Sequence, residues 1–187
     1  MVKLKKPPRD FYKGMKMNQA SGTMKVFKSF LKNEKFDTLI ELGTGRGTLT
    51  LFLSDITGSK IYTFSKGDAF LTNSLRAVGV SVVKADVFSD STIEQIQKLI
   101  SAPGRVLMLC DNGDKVKEFN TFSQFLKQGD VIMAHDYFKN KKARNQSVWR
   151  GCEITEADVK VSAKKYNLAP FYQDEFDKIV WMIKIRR

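Results

Sequence analysis

The sequence predicts a three-layer α/β sandwich: a mostly parallel sheet covered by helices on both faces, with an antiparallel C-terminal strand. Three observations point there. Short apolar runs alternate with amphipathic segments of about ten residues, the pattern of right-handed βαβ units. Some runs, such as Arg105-Val-Leu-Met-Leu-Cys110, are almost wholly apolar, as strands buried on both faces must be. Finally, Ile179–Ile185 is strand-like with no helix after it, so it pairs antiparallel at one side of the sheet.

Each element has its own signature. Residues 1–20 read as a loosely attached basic arm, and residues 21–187 as one domain. Ser21 opens an amphipathic helix with Met24, Val26, Phe27, Phe30 and Leu31 on its apolar face. Thr38–Leu42 is a strand, a glycine-rich turn follows, and Thr48–Leu53 begins the next helix. Lys60–Phe64 is strand-like, Ala69–Val78 helical and Val80–Val83 strand-like. Ser91–Ile100 places Ile93, Ile96, Leu99 and Ile100 on one helical face. Strand Arg105–Cys110, helix Val116–Leu126 and strand Asp130–Ala134 continue the alternation, and Thr155-Glu-Ala-Asp158 is a capping box.

Composition narrows the function classes. The chain has 187 residues, 42% hydrophobic and 28% charged, ordinary values for a folded globular domain. No run approaches the 18 or so apolar residues of a membrane span. Met1–Asp10 carries charges and prolines where a signal peptide needs an apolar stretch. Cys110 and Cys152 form neither a disulfide framework nor a paired-cysteine zinc site, so a cytoplasmic setting is expected. Thirty-two basic and twenty acidic residues give a net charge of +12. The excess clusters at Lys3, Lys5, Lys6, Arg9, Lys13 and Lys16, at Lys139, Lys141, Lys142, Arg144 and Arg150, and at Lys184, Arg186 and Arg187. Such clusters attract nucleic acid or other polyanions, or they simply keep a basic protein solvated.

The turn after the first strand of the domain, Glu41-Leu-Gly43-Thr-Gly45-Arg-Gly47, carries the chemistry. Ligands of open parallel sheets bind beyond the strands' carboxyl ends, and glycines let backbone approach them closely. Dinucleotide folds use Gly-x-Gly-x-x-Gly; here the spacing is Gly-x-Gly-x-Gly, with an acid two residues before the first glycine. Glu41 suits a ligand ammonium, which a pyrophosphate ligand lacks.

This element resembles motif I of class I S-adenosylmethionine-dependent methyltransferases, whose sheet is Rossmann-like. The resemblance implies that Glu41 holds the methionine ammonium and that Gly43, Gly45 and Gly47 form the backbone cradle. Ser65 stands where the family usually has an acid for the ribose hydroxyls, with Asp68 three residues on as a substitute. Asp86, in Ala85-Asp86-Val87-Phe88, would hold the adenine amino group. Asp111-Asn112-Gly113-Asp114 is similar to the motif IV loop, so Asp111 faces the cofactor. The stretch from this loop to His135-Asp136-Tyr137 is similar to a branch containing small-molecule O-methyltransferases and cephalosporin-hydroxylase-like proteins. Asp114 replaces that branch's histidine and Asp130 its second glycine. Catechol-type relatives hold Mg²⁺ with acids at the ends of these two strands, which here are Asp111 and Asp136.

The residues admit plainer readings too. Asp111 and Asp136 close neighbouring strands and offer the oxygens a hard cation requires, or they cap a loop and contact backbone. His135 is a general base, a metal ligand or a structural histidine; strand alternation argues against His135 and Asp136 facing one site. Lys115 takes a substrate proton or is a solvated lysine at a helix N-terminus. Trp149 covers a substrate or packs in the core, and Asn18 and Gln19 stand where they could line the cofactor mouth. The expected function is O-methylation of a small molecule by S-adenosylmethionine, with Mg²⁺ as an optional aid. The rivals are a non-catalytic module binding nucleic acid or another polyanion, and hydroxylase-like chemistry on the same fold.

Overall fold

Side-chain alternation along a central sheet divides the apolar core in two. The computed structural model describes residues 9–140 and 154–187. A hairpin of β1 (Arg9–Tyr12) and β2 (Met15–Ala20) leads into α1 (Thr23–Asn33). Then come β3 (Thr38–Leu42), α2 (Thr48–Ile56), β4 (Lys60–Ser65), α3 (Thr72–Ala77), β5 (Ser81–Lys84), α4 (Asp90–Ser101) and β6 (Val106–Cys110). After α5 (Lys115–Phe122) and β7 (Val131–His135), the short strands β8 (Tyr137–Phe138) and β9 (Ile154–Thr155) pair with each other. The chain ends with α6 (Glu156–Lys165), β10 (Leu168–Pro170), α7 (Gln173–Asp177) and β11 (Trp181–Arg186).

The seven-stranded sheet runs β10-β11-β7-β6-β3-β4-β5. Strands β7 to β5 are parallel, β11 is antiparallel to β7, and β10 is antiparallel to β11. This is the predicted architecture. The chain first builds outward from β3 to β5, then crosses back to lay β6 on the other side of β3. The strand order therefore reverses between β3 and β6, and a ligand crevice opens there.

On one face Leu39, Leu107, Leu109, Met133 and Ile183 pack with Phe27, Phe52 and Phe176. On the other, Ile40, Met108, Ile132 and Met182 pack with Ile96, Phe119 and Val159. The capping box at Thr155 and Asp158 starts α6 as its spacing predicts. β10 was not predicted, because three residues ending in a proline carry no periodicity. No helix among the described residues is long and apolar enough to cross a membrane.

Two expectations change. Residues 9–20, expected to hang loosely, form a hairpin whose Met17 is fully buried in the first core. Tyr12 packs edge-on against Phe52 at 5.2 Å, so the hairpin closes over α2. The C-terminal basic cluster is only partly outward, with Arg187 exposed and Lys184 buried. Strand alternation turns Lys184 inward, to 2% exposure, where its ammonium meets Glu156 at 2.9 Å.

Asp130, the residue in place of a family glycine, has a structural task. Its fully buried carboxylate accepts the backbone N–H groups of Val106 and Lys127, both at 2.8 Å. It thereby ties the start of β6 to the turn that opens β7. Asp130→Ala strands these donors and should cost about 3 kcal/mol, read as a lower urea midpoint at unchanged slope. A loss below about 0.5 kcal/mol would show that the clamp is dispensable.

Candidate functional site

The site begins where β3 and β6 end side by side. The N–H of Asp111 donates to the Leu42 carbonyl at 2.8 Å, and that of Gly43 to the Phe64 carbonyl at 2.8 Å. The turn and the Asp111 loop are thus pressed together. A Cβ on Gly43 would lie 2.3 Å from the Asp111 carbonyl oxygen, and φ there is +95°. Gly47 (φ +83°) similarly lets α2 start against Leu71. Gly43 and Gly47 are therefore glycine for steric reasons.

A cleft of about 380 Å³ opens above them, with Glu41, Gly43, Gly45, Gly47, Asp111, His135 and Asp136 in its wall. The hairpin contributes Arg9, Asn18 and Gln19 to the same wall. A second hollow of about 410 Å³ shares Gly43, Gly45 and Asp111 and adds Ser65, Asp68 and Asn112.

Glu41 follows the alternation of Leu39 and so points under α2, where it is 2% exposed. Its Oε2 accepts the hydroxyls of Thr50 and Thr63, each at 2.6 Å. Thr44 reaches Thr63 at 2.7 Å. Oε1 receives no hydrogen bond among the described residues. Burial pushes the carboxyl up to about 7; the two hydroxyls oppose the shift and the Asp111 charge adds to it.

Asp111 is held from both sides. Its Oδ2 accepts the Gln19 amide at 2.8 Å, and its Oδ1 meets His135 Nδ1 at 3.0 Å. Gln19 thus ties the hairpin to the site, a contact that no spacing in the sequence foretells. Below the loop, buried Glu118 accepts the N–H groups of Asn112 at 3.2 Å and Asp114 at 3.1 Å. Burial raises the Glu118 carboxyl to about 7 against those two donors. Asp114 caps α5 by accepting the Lys117 N–H at 2.9 Å, which accounts for an acid at this position.

His135 and Asp136 were not expected to share a site, yet both line the cleft. Asp136 has φ +56°, a left-handed turn that ends the alternation of β7 and brings its carboxylate back toward His135. His135 Nδ1 stands 3.6 Å from Asp136 Oδ1. Burial alone would lower the imidazole's pKa, but Asp111 and Asp136 together outweigh it and hold the ring above its usual value. Nε2 is buried without a partner among the described residues, and the ring packs 4.8 Å from its cross-strand neighbour Trp181. The histidine therefore turns Nδ1 toward the acids and keeps Nε2 away from solvent.

Lys115 is not the solvated lysine of the plainer reading. The first turn of α5 buries it to 5% exposure, and its ammonium lies 3.2 Å from Asp136 Oδ2. Asp86 lines neither hollow: it accepts the Phe88 N–H at 3.0 Å and pairs with Lys66 at 3.0 Å. The Phe88 N–H and Lys66 hold its carboxyl below the usual range. Ser65 donates to the Gly67 carbonyl at 2.6 Å, while Asp68, in the second hollow, pairs with Lys84 at 2.9 Å. Lys13 meets Asp55 at 2.6 Å. Trp149, Lys3, Lys5, Lys6 and all of the second basic cluster except Lys139 lie outside the described residues.

Asp111, His135 and Asp136 offer ligand atoms within 4.8 Å of one another, a spacing compatible with a metal. The surroundings suit Mg²⁺ poorly. Mg²⁺ demands a near-octahedral shell of oxygens, usually several of them water. Here one of the three donors is an imidazole, both Asp111 oxygens already accept hydrogen bonds, and Asp136 already carries an ammonium.

No family model and no curated protein sequence matches the chain. Solved structures do. CmcI in its apo form superposes with a TM-score of 0.68 at 14% identity, over 96% of this chain and 80% of that one. CmcI in a Mg–SAM complex gives 0.64 at 14% identity, over 95% and 81%. An O-methyltransferase family protein from Burkholderia thailandensis gives 0.59 at 11% identity, over 88% and 56%. The chain has the methyltransferase fold. Within that fold, the cleft and the adjoining hollow lie at the switch point between β3 and β6.

The closeness of the Gly43 turn to Asp111 is testable without any ligand. Gly43→Ala should cost about 3 kcal/mol through strain and overlap. Gly113→Ala, which meets nothing within 4 Å, should cost under about 0.5 kcal/mol. Chemical unfolding of both variants decides; equal costs would contradict the steric argument.

Proposed function

We propose that the protein is an S-adenosylmethionine-dependent methyltransferase that transfers the methyl group to a hydroxyl of a small molecule. One observation carries the reading: a buried carboxylate, Glu41, lies beside a glycine turn whose backbone is open to the cleft. A buried acid without a cation is costly, and a ligand ammonium at Oε1 would relieve it. The methyltransferase fold, with CmcI described as a Mg–SAM complex among its neighbours, supports the same ligand.

In this reading the methionine end lies along Gly43, Gly45 and Gly47 with its ammonium on Glu41. The adenosine enters the second hollow, where Ser65 and Asp68 face the ribose. Asp86, paired with Lys66 at the wall of the second hollow, is the acid we assign to the adenine amino group. The acceptor enters beside Asp136, the more exposed of the two site acids at 22% against 13% for Asp111. Bound S-adenosylmethionine would supply an electrophilic methyl group, the cleft would hold the acceptor hydroxyl in line with it, and the Asp136 carboxylate is placed to take the hydroxyl proton. Most of the rate comes from holding donor and acceptor in line. His135 positions Asp111 and Asp136 rather than taking this proton, because its Nε2 is sealed off. Of the described basic residues, Lys13 and Lys184 pair with Asp55 and Glu156.

Calorimetric titration with S-adenosylmethionine tests the reading. Glu41→Ala should weaken binding roughly 10- to 100-fold, the loss of about 1.5–3 kcal/mol for a charge-assisted hydrogen bond. The pH dependence adds a second signature. With its carboxyl near 7, Glu41 must lose a proton to receive an ammonium, so wild-type affinity should rise between pH 6 and 7.5. Glu41→Gln should flatten that rise while leaving Glu118 in place. No binding by the wild type, or an unchanged pH profile in Glu41→Gln, would contradict the proposal.

A further inference from the structure

We propose that Lys115 is the resident cation of this site, supplying the positive charge that Asp111 and Asp136 would otherwise draw from a divalent metal. The inference concerns the cation alone and goes beyond methyl transfer.

Two carboxylates and an imidazole within 4.8 Å would ordinarily mark a divalent-cation site. What distinguishes this one is a fourth group, an ammonium, beside it. The Lys115 ammonium stands 3.2 Å from Asp136 Oδ2, and its side chain is only 7% exposed. It has little freedom to leave. Lys115 is the first residue of α5, whose start is fixed by the Asp114 cap and by Glu118 holding the loop before it.

The charge also reaches the neighbouring groups: Lys115 opposes protonation of His135 and favours ionisation of Glu118 and Cys110. A dication bound to Asp136 would stand within a few ångströms of a buried ammonium, in surroundings of low polarity where like charges repel strongly. The remaining oxygens reinforce the exclusion, because Gln19 and His135 occupy both oxygens of Asp111.

Removing the ammonium should uncover a latent metal site. Lys115→Met keeps most of the length of the side chain and removes its charge, leaving the half-buried Asp136 without its ammonium partner. The experiment is a titration of the full chain with Mn²⁺, followed by loss of the free-ion electron paramagnetic resonance signal. Wild type should show no saturable uptake below roughly 1 mM, the weak end of protein sites for hard cations. Lys115→Met should bind at least about tenfold more tightly than wild type, one like charge having been removed. Adding Asp136→Asn should abolish that gain. Circular dichroism verifies folding, and Lys115→Gln gives the same reading if the methionine variant does not fold.

Saturable Mn²⁺ uptake by the wild type that Asp136→Asn removes would overturn the proposal. So would the absence of any gain in the folded lysine variants, which would mean that something other than the ammonium excludes the metal. Because the titration contains no S-adenosylmethionine, its failure and a failure of the methyltransferase reading are separate results.

Discussion

The turn after β3 and the loop after β6 occupy a space too small for a single Cβ, and the site depends on that constraint. Gly43 sits 2.3 Å, in projected Cβ distance, from the Asp111 carbonyl. Pressing the two loops together fixes Asp111 at the cleft wall and leaves Glu41 buried immediately behind it. Glu118 tightens the same junction by binding the backbone of the Asp111 loop from below. The switch point between β3 and β6 therefore combines an open backbone cradle with two acids.

Charge burial sets the character of the cleft. Glu41 and Glu118 are pushed to about 7 by burial, each with hydrogen-bond donors that partly offset the cost. Asp111, His135, Asp136 and Lys115 form a continuous chain of contacts of 3.0 to 3.6 Å from β6 through β7 to α5. Acids and bases alternate along it, so each buried charge has an opposite neighbour. Glu41 keeps its Oε1 uncommitted among the described residues, and Glu41 lines the same cleft as the glycine turn.

Much of this was legible in the sequence, and the rest was hidden for physical reasons. Alternating apolar runs and amphipathic segments mark βαβ units, so the parallel sheet and its antiparallel last strand were readable. Glu41 and the three glycines were readable because spacing, which sequence states directly, is what places them. The hairpin was not, since Met17 and Gln19 act through contacts with α2 and Asp111 that lie far away in the chain. The pairing of His135 with Asp136 was misread because strand alternation assumes a regular backbone. One left-handed residue at position 136 cancels it. Lys115 and Asp130 looked like surface or turn residues, and only tertiary packing shows them as buried partners. Asp86 sits on the predicted loop, where it accepts the Phe88 N–H and pairs with Lys66 of the second hollow's wall.

A crystal structure with S-adenosylhomocysteine tests the central claim most directly, because the account assigns each end of that ligand to a different hollow. It predicts the amino nitrogen within hydrogen-bond reach of Glu41, the chain along Gly43 and Gly45, and the ribose beside Ser65 and Asp68. A ligand bound elsewhere, or one whose amino group avoids Glu41, would contradict it.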